Sequence, residues 1–143
     1  DIGHHIGARN HNQHSQYLIT NIRMRGFTAP EIAVLGNLVR YHRGSEPKRR
    51  HPLFAALSDA DRHRVKVLAG FLRLADAFDR SHNQIVKWLD IDVDDEKIHI
   101  IAHCNSQGTL ERWAAVRRAG LLETMLNRQV VVDVVQGAPV SAG

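Results

Sequence analysis

A single cysteine, Cys104, leaves no partner for an internal disulfide, so the chain is expected to fold in a reducing compartment such as the cytoplasm. Aromatic residues make up only 6% of the 143 positions, which is thin for a surface that stacks on many bases. Four prolines and ten glycines are too few for a collagen-like or linker-like chain. No apolar run approaches the ~20 residues of a membrane helix, and no secretory apolar segment is present, so no membrane partner is expected. The first residue is Asp1 rather than Met, which suggests a piece of a longer protein.

What the chain does contain is an ordinary globular balance, 43% hydrophobic and 24% charged. The net charge of +4 hides an asymmetry. Residues 1–90 carry 14 basic and 8 acidic side chains, while residues 91–143 carry 5 and 7. Fifteen of the 19 cations are arginine, which pairs with phosphate in a planar, bidentate way. A basic half points to a polyanionic partner, with Arg-for-Lys usage on a merely solvated surface as the plain alternative. Ten histidines are present, and His4, His5, His11 and His14 fall within the first fourteen residues. Histidine is the commonest transition-metal ligand.

Periodicity divides the chain into a helical part, residues 1–83, a small α+β part, residues 84–136, and a tail, residues 137–143. A helix is predicted from His11 to Arg25, with Tyr17, Leu18 and Ile22 recurring at near-helical spacing, His14 four before Leu18 on that stripe, and Gly26 ending it. Thr28 and Glu31 form a capping-box pair, with Pro30 in the first turn of the next helix. Ile32, Leu35, Leu38, Val39 and His42 are predicted to share its buried face, and Gly44 to stop it. The segment from Gly44 to Pro52 reads as a basic loop, followed by a short helix over Leu53–Leu57. Ser58 with Asp61 caps a long helix whose stripe is Val65, Leu68, Ala69, Leu72 and Asp76. Beyond His82, Ile85–Val93 and Lys97–His103 read as two antiparallel strands, Leu110–Leu126 as a helix and Gln129–Val135 as a strand. Trp88 and Trp113 are expected to pack the small subdomain, and His99 and His103 to lie at its surface. Cys104 carries no motif of a nucleophile or zinc site.

His14, His42 and Asp76 thus fall on apolar helical faces. A charge there is costly unless it is paired or ligates a metal. Two imidazoles and a carboxylate form the donor set of a hydrolytic transition-metal site, and Asp1 offers a second carboxylate. The plain alternatives are satisfied core histidines and an Asp76 paired with Arg73 or Arg80.

These residues carry a resemblance. Asp1-Ile2-Gly3 resembles the second half of the His-Asp dyad of the HD superfamily of phosphohydrolases. His14-Ser15-x-Tyr17-Leu18-Ile19, Leu38-Val39-Arg40-Tyr41-His42-Arg43 and Leu72 to Ser81 (LRLADAFDRS) resemble successive blocks of the C-terminal HD-like region of the exopolyphosphatase/guanosine pentaphosphatase family. The resemblance implies a mainly α fold, an HD-like helical bundle with a small C-terminal α+β (β-β-α-β) subdomain. It implies Asp1, His14, His42 and Asp76 as metal ligands, with the dyad His and an upstream His lying before Asp1. It assigns the phosphohydrolase centre and its Mg²⁺ to N-terminal actin-like domains. It gives the C-terminal region a part in gripping polyphosphate or guanosine pentaphosphate and in forming a homodimer. Arg40, Arg43, Lys48, Arg49, Arg50 and Arg80 are the phosphate contacts expected on that basis, with Lys48-Arg49-Arg50-His51 the densest cluster. Two other readings stay open. One is a self-contained phosphohydrolase acting on a nucleotide through Mn²⁺, Fe or Zn²⁺ at the HD-like site. The other is a non-catalytic nucleic-acid module, disfavoured by the absence of a nucleic-acid fold motif.

Overall fold

A computed structural model describes residues 2–137. Asp1 and the tail beyond Gly137 lie outside the described residues. The chain forms two compact units, Asp1–Ala69 and Gly70–Gly143. The fold is mixed α+β: helices with one small three-stranded sheet.

The first unit opens with a 3₁₀ turn, Ile2–His5, followed by α1, His11–Asn21, and α2, Ala29–Tyr41. α1 is shorter than predicted: the backbone is already extended at Ile22, before Gly26 is reached. α2 begins with the complete capping box foreseen from Thr28 and Glu31, each side chain bonding the other's backbone N–H. Glu31 is held below the usual carboxylate range by the Thr28 backbone and hydroxyl. A short helix, α3 (Pro52–Ala55), and α4 (Asp59–Phe78) follow. Ser58 Oγ accepts from the Asp61 N–H at 3.0 Å, the cap expected for α4.

The buried faces are rotated from those predicted. α1 buries Ser15 and Gln16, while Tyr17 and Ile22 are exposed. α2 buries Val34, Asn37, Leu38 and Tyr41, a step of three and four residues, and leaves Ile32, Leu35, Val39 and His42 half-buried. Close helix approach explains this. A Cβ at Gly36 would lie 2.6 Å from Thr20 Cγ2, and one at Gly3 would lie 1.9 Å from the His11 carbonyl oxygen. α1 therefore rests on glycines through small and polar side chains. Asn37 Nδ2 donates to the carbonyls of Ala33 (2.9 Å) and Leu53 (3.2 Å), while its Oδ1 is buried with no hydrogen-bond partner among the described residues, and Gly3 N–H donates to Ser15 Oγ at 2.9 Å. On α4, Val65 and Ala69 are fully buried as predicted, but Leu68 and Leu72 are exposed.

The second unit holds the sheet β1 (Val86–Val93), β2 (Lys97–Cys104), β3 (Gln129–Gln136), in the order β1-β2-β3. β1 and β2 pair antiparallel, as expected, across an Asp94 turn whose carboxylate accepts from the N–H groups of Glu96 and Lys97. β3 returns parallel to β2. The crossover predicted as one helix is two, α5 (Thr109–Arg118) and α6 (Gly120–Leu126), separated at Ala119. The core joins Leu74, Ala77 and Phe78 of α4 to the alternating inward residues Ile98, Ile100, Ala102 and Cys104 of β2 and to Ala115 and Leu122. Gly70 permits a close approach here, since a Cβ on it would sit 3.1 Å from Leu122 Cα. Trp113 departs from expectation: it is 56% exposed and carries Arg117 over its ring at 5.0 Å. Among the described residues no helix is long and apolar enough to cross a membrane.

Candidate functional site

The first unit brings two sets of functional side chains together. One is an imidazole cluster at the N-terminal turn. His4 stacks on His11 with centroids 4.3 Å apart, and His11 meets His42 at 5.6 Å. His11 Nδ1 lies 3.1 Å from the Ala8 carbonyl, and His42 Nδ1 lies 2.8 Å from the Val39 carbonyl. A carbonyl only accepts, so both rings donate from Nδ1. When neutral, each then presents Nε2 as a lone pair, the tautomer that metal-binding imidazoles adopt. His4 is held below its ordinary value by desolvation first and by the His11 ring next, with Arg43 and His42 adding to the effect.

This cluster overlaps only partly with the predicted ligand set. His42 belongs to it. His14 is half-buried on α1, its Nε2 3.9 Å from where a Gly7 Cβ would stand. His11, which the sequence reading did not select, takes the central place. The crowding of four histidines into fourteen residues was the only signal for it. Asp76 lies in the second unit, where Arg118 donates to its carboxylate; the arginines named for it from sequence, Arg73 and Arg80, are nearer in the chain. Asp1 lies outside the described residues. Among the described residues no group of three or more His, Cys, Asp or Glu is arranged to hold a metal ion.

The second set lines a cleft of about 600 Å³ between α1, the end of α2 and the start of α3. Gln13, Gln16, Tyr17, Thr20 and Asn21 face it from α1, Arg40 and Tyr41 from α2, and His51, Pro52 and Leu53 from the α3 side. Asn12 Nδ2 donates to the Arg40 carbonyl at 2.9 Å and ties the two helices where Arg40 emerges. Tyr41, fully buried, is hydrogen-bonded to His51 Nδ1 at 2.7 Å. Burial pushes the Tyr41 phenol up, and the Arg40 guanidinium opposes that rise. His51 is held below its ordinary value by desolvation first, then by the positive charges of Arg40, Arg50 and Lys48.

The predicted phosphate contacts therefore separate. Arg40 lines the cleft, and Lys48, Arg49 and Arg50 stand exposed on the loop that leads into it. Arg49 makes only a loose, open contact with Asp59 at 3.4 Å, which leaves it largely available. The loop is anchored by buried Pro47 and by a turn in which His51 N–H donates to the Lys48 carbonyl at 2.9 Å. Arg43 is half-buried beside the imidazole cluster, and Arg80 is exposed in the second unit after α4.

The second unit holds structural polar groups. Glu111, 1% exposed, accepts from the Ser81 N–H at 3.1 Å and fixes the turn that ends α4. Cys104 is buried, and desolvation with Glu111 pushes its thiol up, the opposite of an activated nucleophile. His99 and His103 pair with Asp133 (2.8 Å) and Asp90 (2.7 Å); His99 is partly exposed, whereas His103 is mostly covered, its ring stacked on Trp88 at 4.8 Å, and does not lie at the surface as expected. An apolar groove of about 390 Å³ is lined by Phe71, Phe78, Leu89, Ile91 and Val93 among others.

A family model described as Ppx/GppA phosphatase, domain III, matches residues 1–119. No match was found among curated proteins.

Proposed function

Since the chain belongs to the Ppx/GppA phosphatase family, we propose that it is the C-terminal module that grips the polyanionic substrate of an exopolyphosphatase or guanosine pentaphosphate phosphohydrolase and supports a homodimer. The hydrolytic centre, with its Mg²⁺, then sits in the actin-like domains that the resemblance assigns to the family. The carrying observation is a 600 Å³ cleft lined by Arg40 and His51, with Lys48, Arg49 and Arg50 exposed on the loop immediately before His51. Cations beside a concave, partly dehydrated surface hold a phosphate chain more strongly than the same charges spread over a solvated face. A phosphoanhydride chain is the ligand this reading assigns to the cleft, in keeping with membership of a phosphatase family. The homodimer is supported by β1, an edge strand whose Leu89, Ile91 and Val93 remain exposed beside the apolar groove of the second unit.

Charge reversal tests the grip. R49E with R50E is expected to weaken tripolyphosphate binding at least tenfold, and unchanged affinity would remove this loop from the grip.

A second reading, a metal-dependent phosphohydrolase using Asp1, His14, His42 and Asp76 with Mn²⁺, Fe or Zn²⁺, draws its support from the tautomer of His42. Such an ion would supply a polarised water. Against it stands the Arg118 guanidinium, which already neutralises the Asp76 carboxylate. Metal content of a longer chain carrying the dyad His separates the two readings.

A further inference from the structure

α5 is turned inside out. The residues it buries are Glu111, Ala114 and Ala115, which are polar or small. Its large apolar residues point the other way: Leu110, Trp113 and Val116 recur every third position, and each is about half exposed. A helix that serves only its own core shows the opposite arrangement. Arg112 and Arg117 stand exposed on the flanks of this ridge, and Arg117 lies over the Trp113 ring at 5.0 Å. The one acid of α5, Glu111, is buried, so no exposed carboxylate of the helix offsets them. The second unit thus presents an apolar ridge with cationic flanks. Its centre is a tryptophan and an arginine, the residue types that anchor protein interfaces most often.

The same unit presents the counterpart. Leu89, Ile91 and Val93 share the inward face of the sheet with their register partners Ala102, Ile100 and Ile98. Those partners are buried under helices, whereas the three β1 residues are exposed. The helix layer therefore stops short of β1, and the gap is the apolar groove of about 390 Å³, bounded by Phe71 of α4 and by Leu122 and Leu126 of α6. That volume accommodates an indole. Beyond Val93 the strand runs into the Asp94-Asp95-Glu96 turn, and with Asp92 these acids outnumber the neighbouring Lys97 and Arg128. Ridge and groove match in shape and in sign: apolar centres, with cations around one and carboxylates around the other.

A surface and its complement on one chain point to a second copy. α5 packs over β3, and the groove lies over β1, at opposite ends of the sheet but on the same side of it. A twofold axis lying between two such faces and parallel to the sheets carries each ridge onto the other copy's groove. The contact is then made twice and the assembly closes. Pairing β1 with β1 would instead set Asp90, Asp92 and Asp94 against the same acids of the copy.

We propose that two copies of the chain dock through these faces, the α5 ridge of each seated in the β1 groove of the other, with Trp113 as the anchor. This rests on the homodimer reading above and assigns its two surfaces.

Sedimentation velocity of the chain and of its Trp113→Glu and Ile91→Glu variants tests it. Both side chains are more than half exposed, and unchanged thermal melting confirms that each variant folds. A variant that melts early is replaced by Trp113→Ser or Ile91→Thr and read in the same way. The parent chain is expected to dimerise, and each variant to weaken the dimer on the order of thirtyfold or more, the scale of a lost interface anchor. Fluorescein-labelled Trp113→Glu chain mixed with unlabelled Ile91→Glu chain is expected to associate more tightly than either variant with itself, because one intact groove then meets one intact ridge. Either variant leaving the dimer intact, or a mixture that associates no better than the separate variants, overturns the ridge-in-groove contact and leaves the homodimer reading standing. A parent chain that stays monomeric at its highest soluble concentration overturns this contact and removes the support that the homodimer draws from β1.

Discussion

Replacing Gly36 by alanine sets two opposing effects against each other at the contact that shapes the cleft. Gly36 lies inside α2, where alanine is favoured over glycine by about 1 kcal/mol. The new Cβ would stand 2.6 Å from Thr20 Cγ2 on α1. Thr20 cannot turn away freely, because its Oγ1 donates to the Gln16 carbonyl at 2.9 Å and so holds the rotamer. Overpacking of this kind costs about 1–3 kcal/mol. The single variant is therefore expected to be destabilised by about 1 kcal/mol, with a melting temperature lower by roughly 3–6 °C. Thr20→Ser removes the offending methyl and keeps the hydroxyl. Alone it should cost under about 1 kcal/mol, the worth of one buried methyl. The double variant sheds the clash and keeps the helix gain, so it should lie within about 0.5 kcal/mol of the parent chain. A thermal and denaturant double-mutant cycle should then show favourable coupling of at least about 1 kcal/mol. Gly36→Ala that stabilises on its own, or two effects that simply add, would refute the close α1–α2 approach.

Two further predictions concern the functional sets. Gly3→Ala places a Cβ 1.9 Å from the His11 carbonyl oxygen, so the N-terminal turn should lift off α1; faster amide exchange over residues 2–7 and altered His4 and His11 ring shifts are expected, and unchanged ring shifts would contradict the packing. His51, lowered from its ordinary 6.5 by desolvation and by Arg40, Arg50 and Lys48, favours the neutral ring in the fold. Its contribution to stability is therefore complete above pH 6.5 and lost as pH falls through the folded value. A bound polyphosphate offsets those cations and should raise His51, so binding should tighten as pH falls below about 6.5; an NMR titration in which tripolyphosphate leaves the His51 midpoint unmoved would show that the anion sits elsewhere.

The punctuation of the fold was legible in the sequence, because caps are local chemistry. Thr28 with Glu31 and Ser58 with Asp61 mark their helix starts by side chain to backbone bonds within three residues. The β1–β2 hairpin was legible for the same reason, from its acidic turn and alternating strands. The faces were not. Apolar periodicity selected Tyr17, Ile22, Leu68 and Leu72, all exposed, and passed over Gln16, Asn37 and Tyr41, all buried. Those polar groups are buried because glycine lets helices approach closely and because partners such as Leu53 O and His51 Nδ1 come from elsewhere in the chain. A hydropathy stripe carries no information about either. His42 was found on the predicted stripe of α2, and Arg40 because a family block contains it. His11 was missed because it acquires its meaning from neighbours, His4 and His42, that the fold alone supplies.

The central claim is that the first unit grips a phosphate chain through Arg40, Lys48, Arg49 and Arg50. Its most direct test is the salt dependence of tripolyphosphate affinity, measured by calorimetry from about 50 to 300 mM salt. Four neutralising cations should release counterions with a log–log slope of about −2 to −3, by the single-strand value near −0.7 per contact, so affinity should fall on the order of 10²-fold. The R49E and R50E double variant should bind weakly at every salt concentration and with a flatter slope. A parent slope near zero, or a variant that matches the parent across the series, would contradict the account.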